Sequence, residues 1–319
     1  MKILFVARHA GGPTSQFAAG ADNDDEGAVS WALEQFGHEV IRVQENPRRR
    51  TGVDLADINA QLCLFFKWPT AADELPRLRM PAVGWYFDMA RSVEGDPTLA
   101  PRDAVRVQWL RSVVPLCLAF FMSDGDYVMR DTSGKLVHLM QGSDERVIGP
   151  GVAPVPDTRP PLLFAGMVNH GRRRASHIAE LKARYGNRLE VLGDGGPARR
   201  KHARELADAM AGRIVIAPDG PQTDAYCSNR LVQACGFGAF VVHPYCAVAA
   251  AMYGHGEGVV YYGDRAECNI LIDQYLGPLA DRREAIARAG YKRTLRDNLY
   301  RHRAADLIAE VGRRLSCRT

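Results

Sequence analysis

Asp224-Ala225-Tyr226-Cys227-Ser228-Asn229-Arg230-Leu231-Val232-Gln233-Ala234-Cys235-Gly236-Phe237-Gly238-Ala239-Phe240-Val241-Val242 is the stretch whose reading decides the fold. Ser228 is a good N-cap residue, so a helix is expected to open there with free amides and the positive end of its dipole turned toward any nearby anion. Arg230 adds a fixed charge to that end. Gln233 follows Asn229 and Arg230 by one turn on the same side, where an amide can hydrogen-bond ribose hydroxyls. The helix is expected to stop on Gly236, and the apolar run from Phe240 then reads as a buried strand. In outline this is a site for a nucleoside diphosphate.

Working outward, strand-like and helix-like runs alternate along the whole chain, which argues for parallel sheets covered by helices on both faces. Upstream, Leu162 to Gly166 reads as a strand that runs into Met167-Val168-Asn169-His170-Gly171-Arg172-Arg173-Arg174. A glycine at a strand exit followed by arginines at a helix start can cradle a diphosphate, because amides, dipole and guanidinium charge converge there. The same run also fits a solvated basic helix start. Val191-Leu192-Gly193-Asp194-Gly195-Gly196 is a second glycine-rich strand exit, and Gly193 joins the candidate donor-binding residues. Strands are further expected at Leu189 to Leu192, Ile214 to Ala217, Phe240 to His243 and Val259 to Tyr262, with helices over about 175–185 and 199–210.

The run Gly149-Pro-Gly-Val-Ala-Pro-Val-Pro-Asp-Thr-Arg-Pro-Pro161 holds five prolines and two glycines, the sharpest break in composition along the chain. It places a domain boundary near residue 150, giving an N-terminal Rossmann-like domain (1–150) and a C-terminal one (151–319). In the first domain, strands are expected over 2–7, 38–43, 61–67, 81–88, 117–122 and 136–140. An amphipathic helix over 24–36 is expected to bury Val29, Leu33 and Phe36, and further helices start near Pro69 and span 105–114. The charged region from Arg282 to Arg314 reads as two terminal helices.

Open parallel sheets bind ligands at the carboxyl ends of their strands. In the first domain those loops offer His9 with Gly11 and Gly12 after the opening strand, and Asp88 after Trp85-Tyr86-Phe87. Gly11 and Gly12 permit close backbone approach, and His9 and Asp88 are the candidate catalytic groups, Asp88 facing acceptor or sugar; a structural turn and an ion pair with Arg91 are the alternatives. Asp22-Asn23-Asp24-Asp25-Glu26 superficially resembles a metal-binding Asp-x-Asp, yet it fits an acidic helix start better.

Composition excludes several classes. With 319 residues, 46% of them hydrophobic, the chain can bury two cores. The net charge of +4 and pI near 8.7 permit a groove for a phosphorylated ligand without demanding one. Seven cysteines at 63, 117, 227, 235, 246, 268 and 317 show no paired metal or redox spacing and read as thiols in a reducing cytoplasm. The N-terminus reads as a first strand rather than a secretory signal. The longest apolar run, Val113 to Met122, contains Pro115 and is too short for a membrane span, which takes roughly 18 to 20 residues.

From Ser228 to Arg303 the chain resembles the CgeB-like glycosyltransferases and their group 1 relatives. The residues that carry the likeness are Ser228 to Ala239, then Gly258-Val-Val-Tyr-Tyr-Gly-Asp264, Tyr275-Leu276, Ile286-Ala-Arg-Ala-Gly290 and Tyr300-Arg301-His302-Arg303. The first half is similar more loosely, through Asp88 and Val137 to Asp144. The resemblance implies a GT-B fold, two Rossmann-like doubly wound α/β domains facing a cleft, with the nucleotide sugar held by the second. It implies transfer with retention, no bound metal, no tightly bound cofactor, and a nucleotide-diphosphate sugar as co-substrate. By the same resemblance Gly166 and Arg173 or Arg174 meet the phosphates, Ser228, Asn229 and Arg230 sit near them, and Gln233 faces the ribose. Gln233 stands where the family commonly has Glu, and Ala225 where an earlier glutamate falls. The acceptor stays open among protein, glycan, small molecule and modified nucleic acid. A non-catalytic sugar-nucleotide-binding relative and a sugar-nucleotide epimerase are the alternative functions.

Overall fold

A computed structural model describes residues 1–8, 25–50, 52–90, 100–149, 151–152, 154–156, 158–168, 172–193, 203–218 and 223–317. The chain divides into two compact units, one formed by Met1–Ser92, Ala100–Gln141 and Tyr300–Thr319, the other mainly by Gly142–Leu299.

The first unit is built on six strands: β1 (Lys2–Ala7), β2 (Glu39–Gln44), β3 (Leu62–Phe65), β4 (Ala82–Tyr86), β5 (Ala119–Met122) and β6 (Leu136–His138). All pair in parallel, in the order β2-β1-β3-β4-β5-β6. Central strands of such a sheet are covered on both faces and need apolar side chains on both. In β1, Ile3, Phe5 and Ala7 point into one core, and Leu4 and Val6 into the other. In β3 the same alternation sends Leu62 and Leu64 one way and Cys63 and Phe65 the other.

Helix α1 (Asp25–Gln35) lies on the first face together with the chain's last helix, which sends Tyr300, Ala304, Leu307 and Val311 into the core beside Trp85. The other face is covered from α2 (Ala71–Glu74) and α3 (Ala100–Val113) through Ala71, Leu110 and Val113. The short α4 (Gly125–Met129) is capped by Asp124, whose side chain accepts from the Tyr127 amide. Phe36 departs from expectation. Helix α1 ends at Gln35, so Phe36 falls off its apolar stripe and is 47% exposed, whereas Val29 and Leu33 are fully buried.

The second unit has five strands, β7 (Leu162–Ala165), β8 (Leu189–Leu192), β9 (Ile214–Ile216), β10 (Phe240–Pro244) and β11 (Val259–Tyr262), all parallel in the order β11-β10-β9-β7-β8. Its helices are α5 (Arg172–Tyr185), α6 (Ala203–Met210), α7 (Asn229–Gly236), α8 (Ala247–Met252), α9 (Arg265–Leu276) and α10 (Ala280–Asp297); α11 (Tyr300–Ser316) is the terminal helix of the first unit. Ile178 and Leu181 of α5, Ile272 and Tyr275 of α9 and Ile286 of α10 pack on Phe164, Ile216 and Val242. Each sheet therefore has a switch point where successive crossovers leave in opposite directions, between β1 and β3 in the first unit and between β7 and β9 in the second.

Gly84, in the middle of β4, has no room for a side chain: a Cβ there would overlap the Phe120 ring and press on Phe65. Gly84→Ala is expected to lower the urea midpoint by the equivalent of about 1–3 kcal/mol, the usual effect of overpacking a filled core. Urea denaturation followed by fluorescence measures it.

Candidate functional site

At the second unit's switch point the chain leaves β7 at Ala165 and enters Gly166, whose φ of +145° suits only glycine. The Gly166 amide donates to the Leu192 carbonyl at 2.8 Å, joining the exits of β7 and β8. Gly193 after β8 has φ +135°, and a Cβ there would overlap the Gly166 backbone. The two loops thus touch through bare backbone. A Cβ on Gly166 would also overlap the Arg230 guanidinium. Arg230, in the first turn of α7, donates from Nε to the Ala165 carbonyl at 2.6 Å and lies over the Phe164 ring with Cζ 5.2 Å from its centroid. Gly166, Gly193 and Arg230, far apart in sequence, are brought together here.

Arg174 and Arg173, interchangeable from sequence, differ in the structure. Arg174 is 7% exposed; its Nε donates to the Pro218 carbonyl at 3.0 Å and its Nη1 to the Met167 carbonyl at 3.2 Å. It therefore ties the exit of β9 to that of β7. Arg173 is exposed. Ser228 takes the N-cap position of α7 with extended backbone (φ −76°, ψ 158°), but its side chain makes no capping bond to the helix amides. Asn229 is half-buried. Gln233 is 6% exposed and no described residue pairs with its side-chain amide.

His177, one turn along α5 from Arg173 and Arg174, was not legible as a site residue. It is 6% exposed, its Nε2 is buried without a hydrogen-bond partner among the described residues, and its ring meets Tyr262 edge-on at 6.0 Å. Burial first, and the Arg265 charge second, push its pKa below the ordinary histidine value, so the ring is neutral at pH 7. The single sequence signal was its helical spacing from the arginines.

In the first unit Asp88 follows β4 and Lys67 follows β3. The Lys67 ammonium is 2.5 Å from the Asp88 carboxylate, Arg106 of α3 is 3.8 Å from it, and Lys67 also lies over the Tyr86 ring at 5.7 Å. Burial by itself would raise the Asp88 pKa, but the charge and hydrogen bond of Lys67, then Arg106 and Arg102, outweigh it and hold the carboxyl below the usual carboxylate value. Burial raises the Tyr86 pKa to about 12, with the Asp88 charge second. Glu45, just beyond β2, behaves oppositely to Asp88: desolvation raises its pKa although Arg8 and Lys67 pull it down. Sequence reasoning missed both Lys67, two residues past the apolar β3, and Glu45, one residue past the mixed strand β2. His9, Gly11 and Gly12, and Asp22 to Asp24, lie outside the described residues. Asp25 and Glu26 open α1 as an acidic first turn, and Glu26 accepts from the Arg8 amide at 2.8 Å.

With this geometry in view, residues 172–309 match the family model described as glycosyl transferase-like. The whole chain superposes on sucrose-phosphate synthase from Thermosynechococcus elongatus with a TM-score of 0.68 at 12% identity, covering 100% of both chains. The chain has the GT-B fold. An α-glucosyltransferase in complex with UDP is similar at TM-score 0.66 and 10% identity (98% of this chain, 100% of that one). So is Anabaena HepE in complex with UDP-glucose, at 0.58 and 12% (98% and 99%). No curated protein matches the sequence. No helix among the described residues is long and apolar enough to cross a membrane.

Two outcomes follow from the pairing of these side chains. Arg174→Ala leaves two backbone carbonyls without their donor and is expected to destabilise by about 1–3 kcal/mol per unsatisfied group, whereas Arg173→Ala stays within about 0.5 kcal/mol; thermal denaturation of the pair separates the two roles. Because the Asp88 pKa is lowered in the folded state, its pairing stabilises fully above the unfolded carboxylate pKa and is lost as pH falls through the lowered native value. Asp88→Asn is expected to remove that part of the acid sensitivity, read from melting temperatures between neutral and acid pH.

Proposed function

We propose that this GT-B enzyme transfers a sugar from a nucleoside diphosphate sugar to an acceptor hydroxyl, the donor held by the second unit and the acceptor by the first. The observation that carries the reading is the convergence of Gly166, Gly193 and Arg230 at the β7 and β8 exits, beside the β7/β9 switch point where open sheets take phosphorylated ligands. Helix α5 begins with three arginines and has no acidic residue in its first turn. Cations at a helix N-terminus oppose the dipole and gain nothing from it, so such a start suits an anion seated between them.

In this reading the N-terminal turn of α7 and the Arg230 guanidinium take the diphosphate, with Arg173, Ser228 and Asn229 around it. The unpaired amide of Gln233 takes the ribose hydroxyls. As the bond from the sugar's anomeric carbon to the β-phosphate oxygen breaks, negative charge grows on the leaving diphosphate, and fixed cations and amides stabilise it without a metal ion. The structural relatives bind UDP or UDP-glucose, which favours a uridine nucleotide donor. The likeness of Ser228 to Arg303 to the CgeB-like group favours that branch, retention at the anomeric carbon, and domains parting near residue 150. Asp88 and His9 stand on the acceptor side with Gly11 and Gly12, and the acceptor is a protein, glycan, small molecule or modified nucleic acid. Free thiols at all seven cysteines suit the cytoplasm.

A second reading, a sugar-nucleotide binder without turnover, is favoured by Gln233 and Ala225 at positions where the family has carboxylates. Calorimetric titration with UDP-glucose and UDP, followed by assay of UDP release, separates the two: binding with release supports transfer, and binding without release supports the second reading. Arg230→Gln is expected to weaken UDP more than tenfold while uridine, which lacks phosphate, loses less than threefold. Equal losses for both ligands would mean that Arg230 only shapes the loop.

A further inference from the structure

The second unit has a cavity between α10 and the turn over residues 254–258 that leads into β11, at the strand-entry end of the sheet. Its volume is about 470 Å³, inside the range of about 300–1,000 Å³ that small-molecule sites occupy. Two glycines bring its walls together. Gly258 and Gly290 pack backbone to backbone, and a Cβ on Gly290 would lie 2.9 Å from the Gly258 carbonyl oxygen, so the turn rests directly on the helix. Ala285 and Ala289 face the cavity with side chains too short to fill it, and Ile286, anchored in the core, completes the apolar lining.

The polar lining has two sides. Lys292, Arg293 and Arg296 contribute from α10 and Glu257 from the turn, and Lys292, Arg296 and Glu257 are exposed. Lys292 forms no ion pair among the described residues. Arg293 and Arg296 share the carboxylate of Asp297, with Arg293 Nε and Arg296 Nη2 each 2.9 Å from its Oδ2. Three cations thus stand beside one carboxylate, and each guanidinium keeps N–H groups that no described residue takes. Cations in a helix's last turn complement its dipole, which accounts for Arg296 but not for a cavity with a carboxylate on its far wall. The Glu257 carboxylate folds over Gly254, where a Cβ would lie 2.8 Å from Oε2, and it pairs with none of the three cations. The cavity therefore holds cations and an anion apart, within reach of one small ligand.

We propose that this cavity binds a phosphate monoester of a polyhydroxylated compound, its phosphate on Lys292, Arg293 and Arg296 and a hydroxyl donating to Glu257. Guanidinium groups take phosphate oxygens through paired N–H bonds, and the lysine adds a point charge. The carboxylate accepts from hydroxyls and repels a second anion, so an ester with hydroxyls is preferred to bare phosphate, and a neutral polyol lacks the charge that the cations require. The site is separate from the strand exits assigned above to the nucleotide, and the proposal stands whether or not the chain transfers sugar.

Calorimetric titration of the full chain with glucose 6-phosphate, inorganic phosphate and glucose tests it, with affinity expected to fall in that order. Replacing two exposed cations together, Lys292→Ala with Arg296→Ala, should weaken glucose 6-phosphate about tenfold or more while the melting temperature stays within about 2 °C. Ala289→Glu, which puts a carboxylate into the cavity and removes no cation, should abolish binding as well. Glu257→Gln should weaken glucose 6-phosphate about threefold or more and leave inorganic phosphate no weaker. Arg230→Gln should leave glucose 6-phosphate unchanged. The proposal is overturned by a lack of saturable glucose 6-phosphate binding at millimolar concentration, by unchanged affinity in the double variant or in Ala289→Glu, by an equal effect of Glu257→Gln on both phosphates, or by loss of binding in Arg230→Gln, which would put the ligand at α7 instead.

Discussion

The second unit's site depends on a missing side chain. Because Gly166 carries no Cβ and takes a φ closed to other residues, the Arg230 guanidinium can lie on the end of β7, bonded to the Ala165 carbonyl and stacked on Phe164. That contact anchors the first turn of α7 to the sheet. Gly193 extends the same device to β8, and Arg174 ties in β9 from the α5 side. Three strand exits and two helix starts are thereby fixed relative to one another by one hydrogen-bonded shell of backbone, which is what presenting amides to a diphosphate requires.

The first unit solves a different electrostatic problem. Lys67 neutralises Asp88, whose carboxyl stays ionised, while the Glu45 Oε2, just beyond β2, has no hydrogen-bond partner among the described residues. Burial acts on both carboxyls in the same direction, so the difference between them comes from how closely a cation approaches. Below this edge the aromatic cluster of Phe66, Trp85, Phe87 and Tyr300 gives the loops a rigid floor, with Tyr300 supplied from the far end of the chain.

The central strands were legible because both faces of a parallel sheet are apolar there, so strands such as β3, β5 and β7 are written as uninterrupted hydrophobic runs. The opening of α7 at Ser228 and its end at Gly236 were legible from cap and glycine chemistry. Phe36 misled because helical periodicity does not reveal where a helix stops. Ser228 occupies the N-cap without using its hydroxyl on the helix, since a residue type shows capacity for a bond and not its direction. Arg173 and Arg174 could not be told apart, because which of two adjacent helical side chains turns inward depends on the carbonyls that the β9 exit happens to present.

From the sequence alone came the class of the fold, the two-sheet organisation and the glycine-marked strand exits, all of them consequences of local pattern and of the conformations that single residues allow. Tertiary structure alone decided that Arg230 lies on Gly166, that Arg174 is a buried tie, that Lys67 pairs with Asp88, and that the Glu45 Oε2 has no partner among the described residues. Those facts depend on distances between residues tens of positions apart, and charge pairing and desolvation are set by such distances rather than by sequence spacing.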